Sequence, residues 1–207
     1  MGRPNYHLGF TAASLRPELA RILAECYLNV GDWGSATART LSENLLQCRS
    51  MASAVRLERE LRQRLQALTK IQIEILARAT AQDRASIAWL AATKTITFVS
   101  EFSSEVLRDK MAAHDVVLRP SDYENYVEWK SGSHPELAHL QPSSKSKLRQ
   151  VLLRMLAEAG LLHGGPRGSL GTIQRPVLSP TVTDAIVVEN PRRLACFLVP
   201  DKEIECL

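Results

Sequence analysis

Gln141–Pro180 reads QPSSKSKLRQVLLRMLAEAGLLHGGPRGSLGTIQRPVLSP. A basic helix, an abrupt stop, a glycine-rich loop and a short strand follow one another here, which is the outline of a winged helix-turn-helix. At about 100° per residue, Leu148, Val151, Leu152, Met155, Leu156 and Ala159 fall on one side of the helix. Ser143, Ser146, Lys147, Gln150 and Arg154 fall on the other. The first group can dock on a core; the second is made of hydrogen-bond donors and cations that can meet a ligand. The hydroxyl of Ser143 or Ser144 is expected to cap the helix start. Gly160 is expected to end it in the left-handed conformation, with Leu161 and Leu162 leading into a strand. The HGGPRGSLG loop has the glycines a wing tip needs and carries Arg167, and the strand GTIQRPVL carries Arg175. The same letters also describe a plain amphipathic helix with a solvated basic face and a trailing loop.

The rest of the chain sets the frame for that module. A length of 207 residues with 45% hydrophobic content supports one large domain or two small ones around a real core. Aromatic content of 5% disfavours a reader of single strands that stacks bases on rings. The net charge of +4 is modest but unevenly spread. Residues 143–175 hold six Lys and Arg against a single Glu, and residues 1–80 are also net basic, whereas 81–142 and 176–207 are net acidic. Localised positive charge suits a polyanion, because neutralising phosphates releases condensed counterions.

Helical patterns dominate. SLRPELARILAECYL closes near Gly31; DWGSATARTLSENLLQ is capped by Asp32; a third helix begins near Ser50 or Ser53; Thr69 caps TKIQIEILARAT. QDRASIAWLAATK is apolar nearly all round in its second half, as a buried helix would be, although such a helix could also serve as a partner surface. FVSEFSSEVLRDKMAA is amphipathic with Phe98, Phe102, Val106 and Leu107 inward. Ser121 is expected to cap SDYENYVEWK, which Gly132 ends, and Pro135 sits in the first turn of HPELAHL. Ser179-Pro180 and Asn190-Pro191 open two last short helices.

The third helix repeats the layout of the late basic one. Leu57, Leu61, Leu65 and Leu68 form its stripe, and Arg56, Arg59, Gln63 and Gln66 oppose it, with Arg49 just before the start. With residues 32–47 ahead of it, this is a second candidate helix-turn-helix, without a wing. Glu58 and Glu60 interleave with the arginines, and Glu58–Arg62 and Glu60–Arg64 at i, i+4 would support any surface helix. The chain therefore divides into an N-terminal helical unit, 1–80, and a C-terminal unit, 81–207, with its wing at about 163–178, or else forms one continuous globule. The expected fold is mostly α: a multi-helix bundle with helix-turn-helix elements and a C-terminal winged-helix-like β-hairpin.

Other chemistry finds little support. His7, His114, His134, His139 and His163 include no i, i+4 pair for a metal, and Cys26, Cys48, Cys196 and Cys206 form no CxxC. GGPRGSLG lacks the Lys-Ser/Thr ending of a phosphate loop. Asp122, Glu124 and Glu128 lie in a polar segment without the pocket that acid–base work requires. No enzyme activity, cofactor, metal or small-molecule substrate is expected. The opening MGRPNYHLGF has no signal-peptide core, and no apolar run reaches the roughly 18 residues of a membrane span; a cytoplasmic protein with reduced cysteines is the expectation.

GFT near the start, YLNVGDW, LSENLLQCRSMASAVRLERELRQRLQAL, EFSSEVLRDK, HPELAHL, KLRQVLLRMLAEAGLL and a closing LSP, in that order, resemble BrxA, the small accessory protein family of bacterial BREX phage-exclusion systems. The resemblance spans nearly the whole chain. It implies a cytoplasmic, mostly helical, non-enzymatic protein that binds DNA and supports defence against phage. The family has no catalytic motif to carry over, so the contact residues come from the helical faces. For double-stranded DNA they are Arg49, Ser53, Arg56, Arg59 and Gln63 on the third helix. On the late helix they are Lys145, Ser146, Lys147, Arg149, Gln150 and Arg154, with Arg167 and Arg175 in the wing segment. Ser146, Lys147 and Gln150 would approach base edges or phosphates in the major groove, and weak sequence preference is expected. The alternatives are a protein–protein adaptor contacting other BREX proteins, and RNA binding of the kind seen in the antitermination factor NusB.

Overall fold

A computed structural model describes residue 6 and residues 8–207. His7 lies outside the described residues. A 3-10 turn, Leu8–Ala12, leads into α1, Pro17–Val30, which Gly31 ends with φ at 85°. Asp32 caps α2, Trp33–Ser42, its carboxylate accepting the Ser35 N–H at 2.8 Å. This helix stops before the expected Gln47, because Asn44 and Gln47 take positive φ and Asn44 folds its amide onto the backbone of Cys48. Ser50 caps α3, Met51–Leu65, and Thr69 with Gln72 forms a capping box on α4, Lys70–Arg78.

α5, Ala81–Thr95, is the centre of the bundle. Every residue from Ser86 to Thr93 is buried, so the all-round apolar pattern marks core and leaves no partner surface on that stretch. Its Trp89 is fully buried and donates its indole N–H to the carbonyl of Cys196 at 2.9 Å. α1 packs against α2, α3, α4 and α5. The expected FVSEFSSEVLRDKMAA helix is continuous but not uniform. It runs as α6, Thr97–Glu101, a π-helical turn, Phe102–Leu107, and α7, Arg108–Ala112. The hydroxyls of Ser103 and Ser104 bond the carbonyl of Ser100 at 3.1 and 3.0 Å, competing with the backbone ladder where it widens. Phe98, Phe102 and Leu107 all still reach the core, while Val106 is partly buried against it.

β1, Val117–Leu118, then precedes α8, Pro120–Ser131, the short α9, Pro135–Ala138, and α10, Pro142–Glu158. α8 begins at Pro120, one residue before the expected Ser121 cap; Asp122 accepts the Arg119 N–H at 2.7 Å instead. α10 likewise starts at Pro142, and neither Ser143 nor Ser144 caps it, since a proline at the first position leaves one N–H fewer to satisfy. Gly160 ends α10 with φ at 73°, as expected.

β2, Leu162–His163, and β3, Gly171–Ile173, form the hairpin. Only these three residues of GTIQRPVL are strand; Pro176 lacks an N–H to extend the ladder. β1 adds to the far edge of β3, giving an antiparallel sheet in the order β1-β3-β2. α11, Pro180–Val187, a 3-10 turn, Pro191–Phe197, and α12, Asp201–Ile204, close the chain, the first two opening at the expected Ser179 and Asn190. The fold is mostly α, and one hydrophobic cluster runs through it from Tyr6 to Val199.

Candidate nucleic-acid interface

Core contacts determine which way α10 faces. Tyr123 and Tyr126 on α8 pack edge-on to Phe102, with ring centroids 6.1 and 5.1 Å apart. At the end of α8, Lys130 is 5% exposed, and its ammonium lies 2.5 Å from Glu101 and 2.9 Å from Glu105. In the turn that follows, His134 stacks on Tyr6 with centroids 3.8 Å apart. These contacts pin both ends of the turn between α8 and α9, which precede α10. Leu148, Val151, Leu152, Met155 and Leu156 then bury one side of α10, as their spacing demands.

The opposite side is open. Lys145, Ser146, Lys147, Gln150 and Arg154 are all exposed. None of Lys145, Lys147 and Arg154 has a carboxylate within ion-pair distance among the described residues. Arg149 differs: it sits on the flank toward α8, its side chain 39% exposed, 3.7 Å from Glu124. Arg167 is exposed in the hairpin loop between Pro166 and Gly168, where the Ser169 hydroxyl closes the tip onto the Pro166 carbonyl at 2.7 Å. Arg175 is exposed but engaged, its guanidinium forked onto Glu203 at 2.9 and 2.6 Å.

The second face is on α3. Arg49, Ser53, Arg56, Arg59 and Gln63 are exposed, and the three arginines have no ion-pair partner among the described residues. The inner side departs from expectation. Glu58, Glu60 and Arg64 are 2%, 7% and 4% exposed, so they are not surface pairs. Glu58 meets Arg62 at 2.9 Å and accepts the Thr37 hydroxyl at 2.6 Å, tying α3 to α2. Arg64 turns inward to donate to the carbonyls of Ser14 at 2.7 Å and Ala13 at 2.8 Å, groups that helix packing would otherwise leave without donors. Burial lowers its pKa to about 10, against the opposing pull of Glu60 and Glu158, and it remains a cation at neutral pH.

The two basic faces are mechanically joined. Arg64 of α3 holds the loop before α1 from one side, and Glu158 in the last turn of α10 holds it from the other, accepting from the Ser14 hydroxyl at 2.8 Å and the Leu15 N–H at 2.7 Å. The sequence reading found the cations but not the carboxylates that temper them. Glu124 and Glu203 lie 25 and 28 residues from Arg149 and Arg175, separations at which no helical period operates. No helix among the described residues is long and apolar enough to cross a membrane.

Comparison with known proteins bears on the whole of this architecture. The BrxA family model matches residues 4–190. A BREX protein BrxA from Escherichia coli O9:H4 (strain HS) is 27% identical over 154 residues, 74% of this chain and 72% of that protein. One from Bacillus cereus (strain H3081.97) is 26% identical over 148 residues, covering 72% and 73%. A third, from Paramagnetospirillum magneticum (strain ATCC 700264 / AMB-1), is 26% identical over 165 residues, covering 78% and 81%. The crystal structure of an uncharacterized protein from Magnetospirillum magneticum shares the fold, with a TM-score of 0.81 at 22% identity, over 94% of this chain and 98% of that one.

Proposed function

This chain belongs to the BrxA family of BREX phage-defence proteins, and from that premise we propose that it is a non-enzymatic, cytoplasmic component that binds double-stranded DNA with low sequence specificity. The observation that carries the reading is the outward side of α10. Lys145, Lys147 and Arg154 stand there exposed and without carboxylate partners among the described residues, and the hairpin loop that follows α10 in sequence offers an exposed Arg167. The order strand, helix, short helix, helix, hairpin, with a sheet ordered β1-β3-β2, supports treating α8–α10 as a winged helix-turn-helix with α10 in the major groove.

Within this reading Ser146, Lys147 and Gln150 face base edges or phosphates, and Lys145, Arg149, Arg154 and Arg167 anchor phosphates. Gln150 alone among the first three has the amide that pairs bidentately with adenine, so discrimination between sequences is weak. Arg49, Ser53, Arg56, Arg59 and Gln63 on α3 extend the footprint, the two helix-turn-helix elements acting as the contact modules of residues 1–80 and 81–207. Arg175 joins only by leaving Glu203. Binding of unrelated duplexes across a salt series tests the proposal. With Lys145, Arg149, Arg154 and Arg167 on phosphates, log affinity falls against log salt with a slope of about −3.6, steeper as Lys147 and the α3 arginines engage. Affinity that ignores salt, or no binding at micromolar protein, overturns it. Other BREX proteins are proposed as further partners, a reading supported by the relatives' names.

A further inference from the structure

The 3-10 turn Pro191–Phe197 packs across the π-helical turn Phe102–Leu107, and a cleft of about 210 Å³ opens beside this contact. Ser100 and Ser104 form one wall; Asn190, Arg192 and Arg193 form the other. No carboxylate among the described residues lines it. Its volume falls below the roughly 300–1,000 Å³ of sites for drug-sized molecules, so it suits a single small polar group. π-helical turns also recur at functional sites.

The walls are fixed and the charge is positive. Trp89 of α5 donates to the Cys196 carbonyl at 2.9 Å, and Arg193 donates one guanidinium N–H to the Thr93 carbonyl at 3.3 Å. Arg192 is exposed and Arg193 half-buried, and neither has a carboxylate within ion-pair distance among the described residues. The carboxylate whose field reaches Arg193 is Glu189, which already accepts from Lys94 at 2.7 Å and from Gln72 at 2.8 Å. Lys94 therefore balances Glu189, and the charges of both arginines stay uncompensated. Uncharged donors lie beside them. The Asn190 side-chain oxygen accepts the Arg192 N–H at 3.1 Å, which leaves the amide nitrogen of Asn190 without an acceptor among the described residues. The Ser100 hydroxyl lies 3.3 Å from the Cys196 sulfur, and when the thiol donates, the hydroxyl proton is free. Ser104 contributes only wall, because its hydroxyl donates to the Ser100 carbonyl at 3.0 Å.

We propose that this cleft binds the terminal phosphate of a small phosphate monoester, with Arg192 and Arg193 pairing its oxygens and Asn190 and Ser100 donating to those left over. A guanidinium matches phosphate geometry with two parallel N–H groups, which an ammonium cannot do. A monoester carries about −1.5 to −2 at neutral pH, the charge that two arginines match, whereas each phosphate of a nucleic-acid backbone carries a single charge. The site lies apart from the α3 and α10 residues assigned to duplex and stands whether or not the protein binds DNA.

The test is an amide-resonance NMR titration of the full chain without DNA, at constant ionic strength, with methyl phosphate as the monoester and dimethyl phosphate as the diester. The expected shifts centre on Ser100, Asn190, Arg192 and Arg193, and methyl phosphate binds about tenfold tighter than dimethyl phosphate, the scale of one charge-assisted contact. Arg192→Gln weakens methyl phosphate by about tenfold and leaves the thermal midpoint in place, since the exposed Arg192 side chain has no partner in the fold to lose. Arg193→Gln also gives up the bond to Thr93, so it is read beside Arg193→Lys, which keeps the charge and retains more affinity than the glutamine variant. No shifts at about 10 mM methyl phosphate, shifts centred instead on Lys147 and Arg154, equal affinity for the two esters, or parental affinity in Arg192→Gln each overturn the site. A short duplex that shifts Arg192 and Arg193 where methyl phosphate does not would assign these arginines to a nucleic-acid backbone, and that too overturns the proposal.

Discussion

Glu158, in the last turn of α10, accepts the backbone N–H of Leu15 at 2.7 Å, a contact between residues 143 positions apart in the chain. The same carboxylate takes the Ser14 hydroxyl. Leu15 and Ser14 are buried, so the groups Glu158 satisfies have no water to turn to. Glu158→Ala is expected to cost about 2 kcal/mol, the scale of hydrogen bonds to a charged acceptor plus the donors left behind. The check is the urea midpoint, which falls, while Glu158→Gln retains part of the loss because one oxygen still accepts.

Lys147 and Arg154 lie on the open side of α10 and engage no carboxylate among the described residues. Lys147→Ala combined with Arg154→Ala is expected to weaken duplex binding at low salt and to make the salt slope shallower by about 1.8, near 0.9 per phosphate contact. Thermal stability stays within about 0.5 kcal/mol of the parent, because neither side chain has a folded-state partner to lose. Unchanged duplex affinity would take this helix out of the interface.

Arg175 is forked onto Glu203. Glu203→Gln releases that guanidinium and removes a negative charge beside the hairpin. Duplex affinity at low salt is expected to rise by about twofold or more, with the gain lost at high salt, as screening dictates. Arg175→Ala in the Glu203→Gln background returns affinity to the starting value if the released cation is the cause.

Gly171 opens β3 with φ at 149°, and an added Cβ would sit 2.5 Å from the His163 carbonyl and 2.7 Å from the Leu162 side chain. Gly171→Ala therefore clashes with its own hairpin partner, and a cost above about 2 kcal/mol is expected from strain and overpacking together. The amide signals of Thr172 and Ile173 should lose exchange protection, while the helical far-UV signal persists.

Lys94 and Glu189 join α5 to the segment after α11 at 2.5 Å. Burial acts to raise the Glu189 pKa, but hydrogen bonds from Lys94 and Gln72 outweigh it and hold the carboxyl below its ordinary 4.5. A carboxylate with a depressed folded pKa contributes stability above its unfolded value and loses that contribution as pH falls through the folded one. Thermal midpoints of the parent should therefore drop as pH falls below 4.5, and Glu189→Gln should lower the midpoint at neutral pH and flatten part of that acid limb. An identical pH profile in the variant would dismiss the pair as a source.

Much of the local structure was legible in the letters. Asp32, Thr69, Ser179 and Asn190 cap the elements their chemistry suited, and Gly31 and Gly160 take the left-handed positions that end α1 and α10. The open sides of α3 and α10 also emerged from spacing alone, since a helical period sorts side chains by angle whatever the surroundings. Pro142 and Pro120 displaced two expected serine caps, because a proline that supplies the first turn competes for the same boundary. β1 escaped notice: two residues, Val117 and Leu118, carry no detectable period and become strand only by pairing with β3.

The sequence by itself determined which residues cap, break and line each helix, and therefore which cations point outward. The tertiary structure alone decided which of those cations keep their charge unopposed. Arg149 and Arg175 meet Glu124 and Glu203, and Arg64 is drawn inside to serve the carbonyls of Ala13 and Ser14. The physical reason is range. Backbone propensity and side-chain angle act over a turn or two of helix, whereas a charge is satisfied by whatever the packed chain brings within a few ångströms, at any distance in sequence.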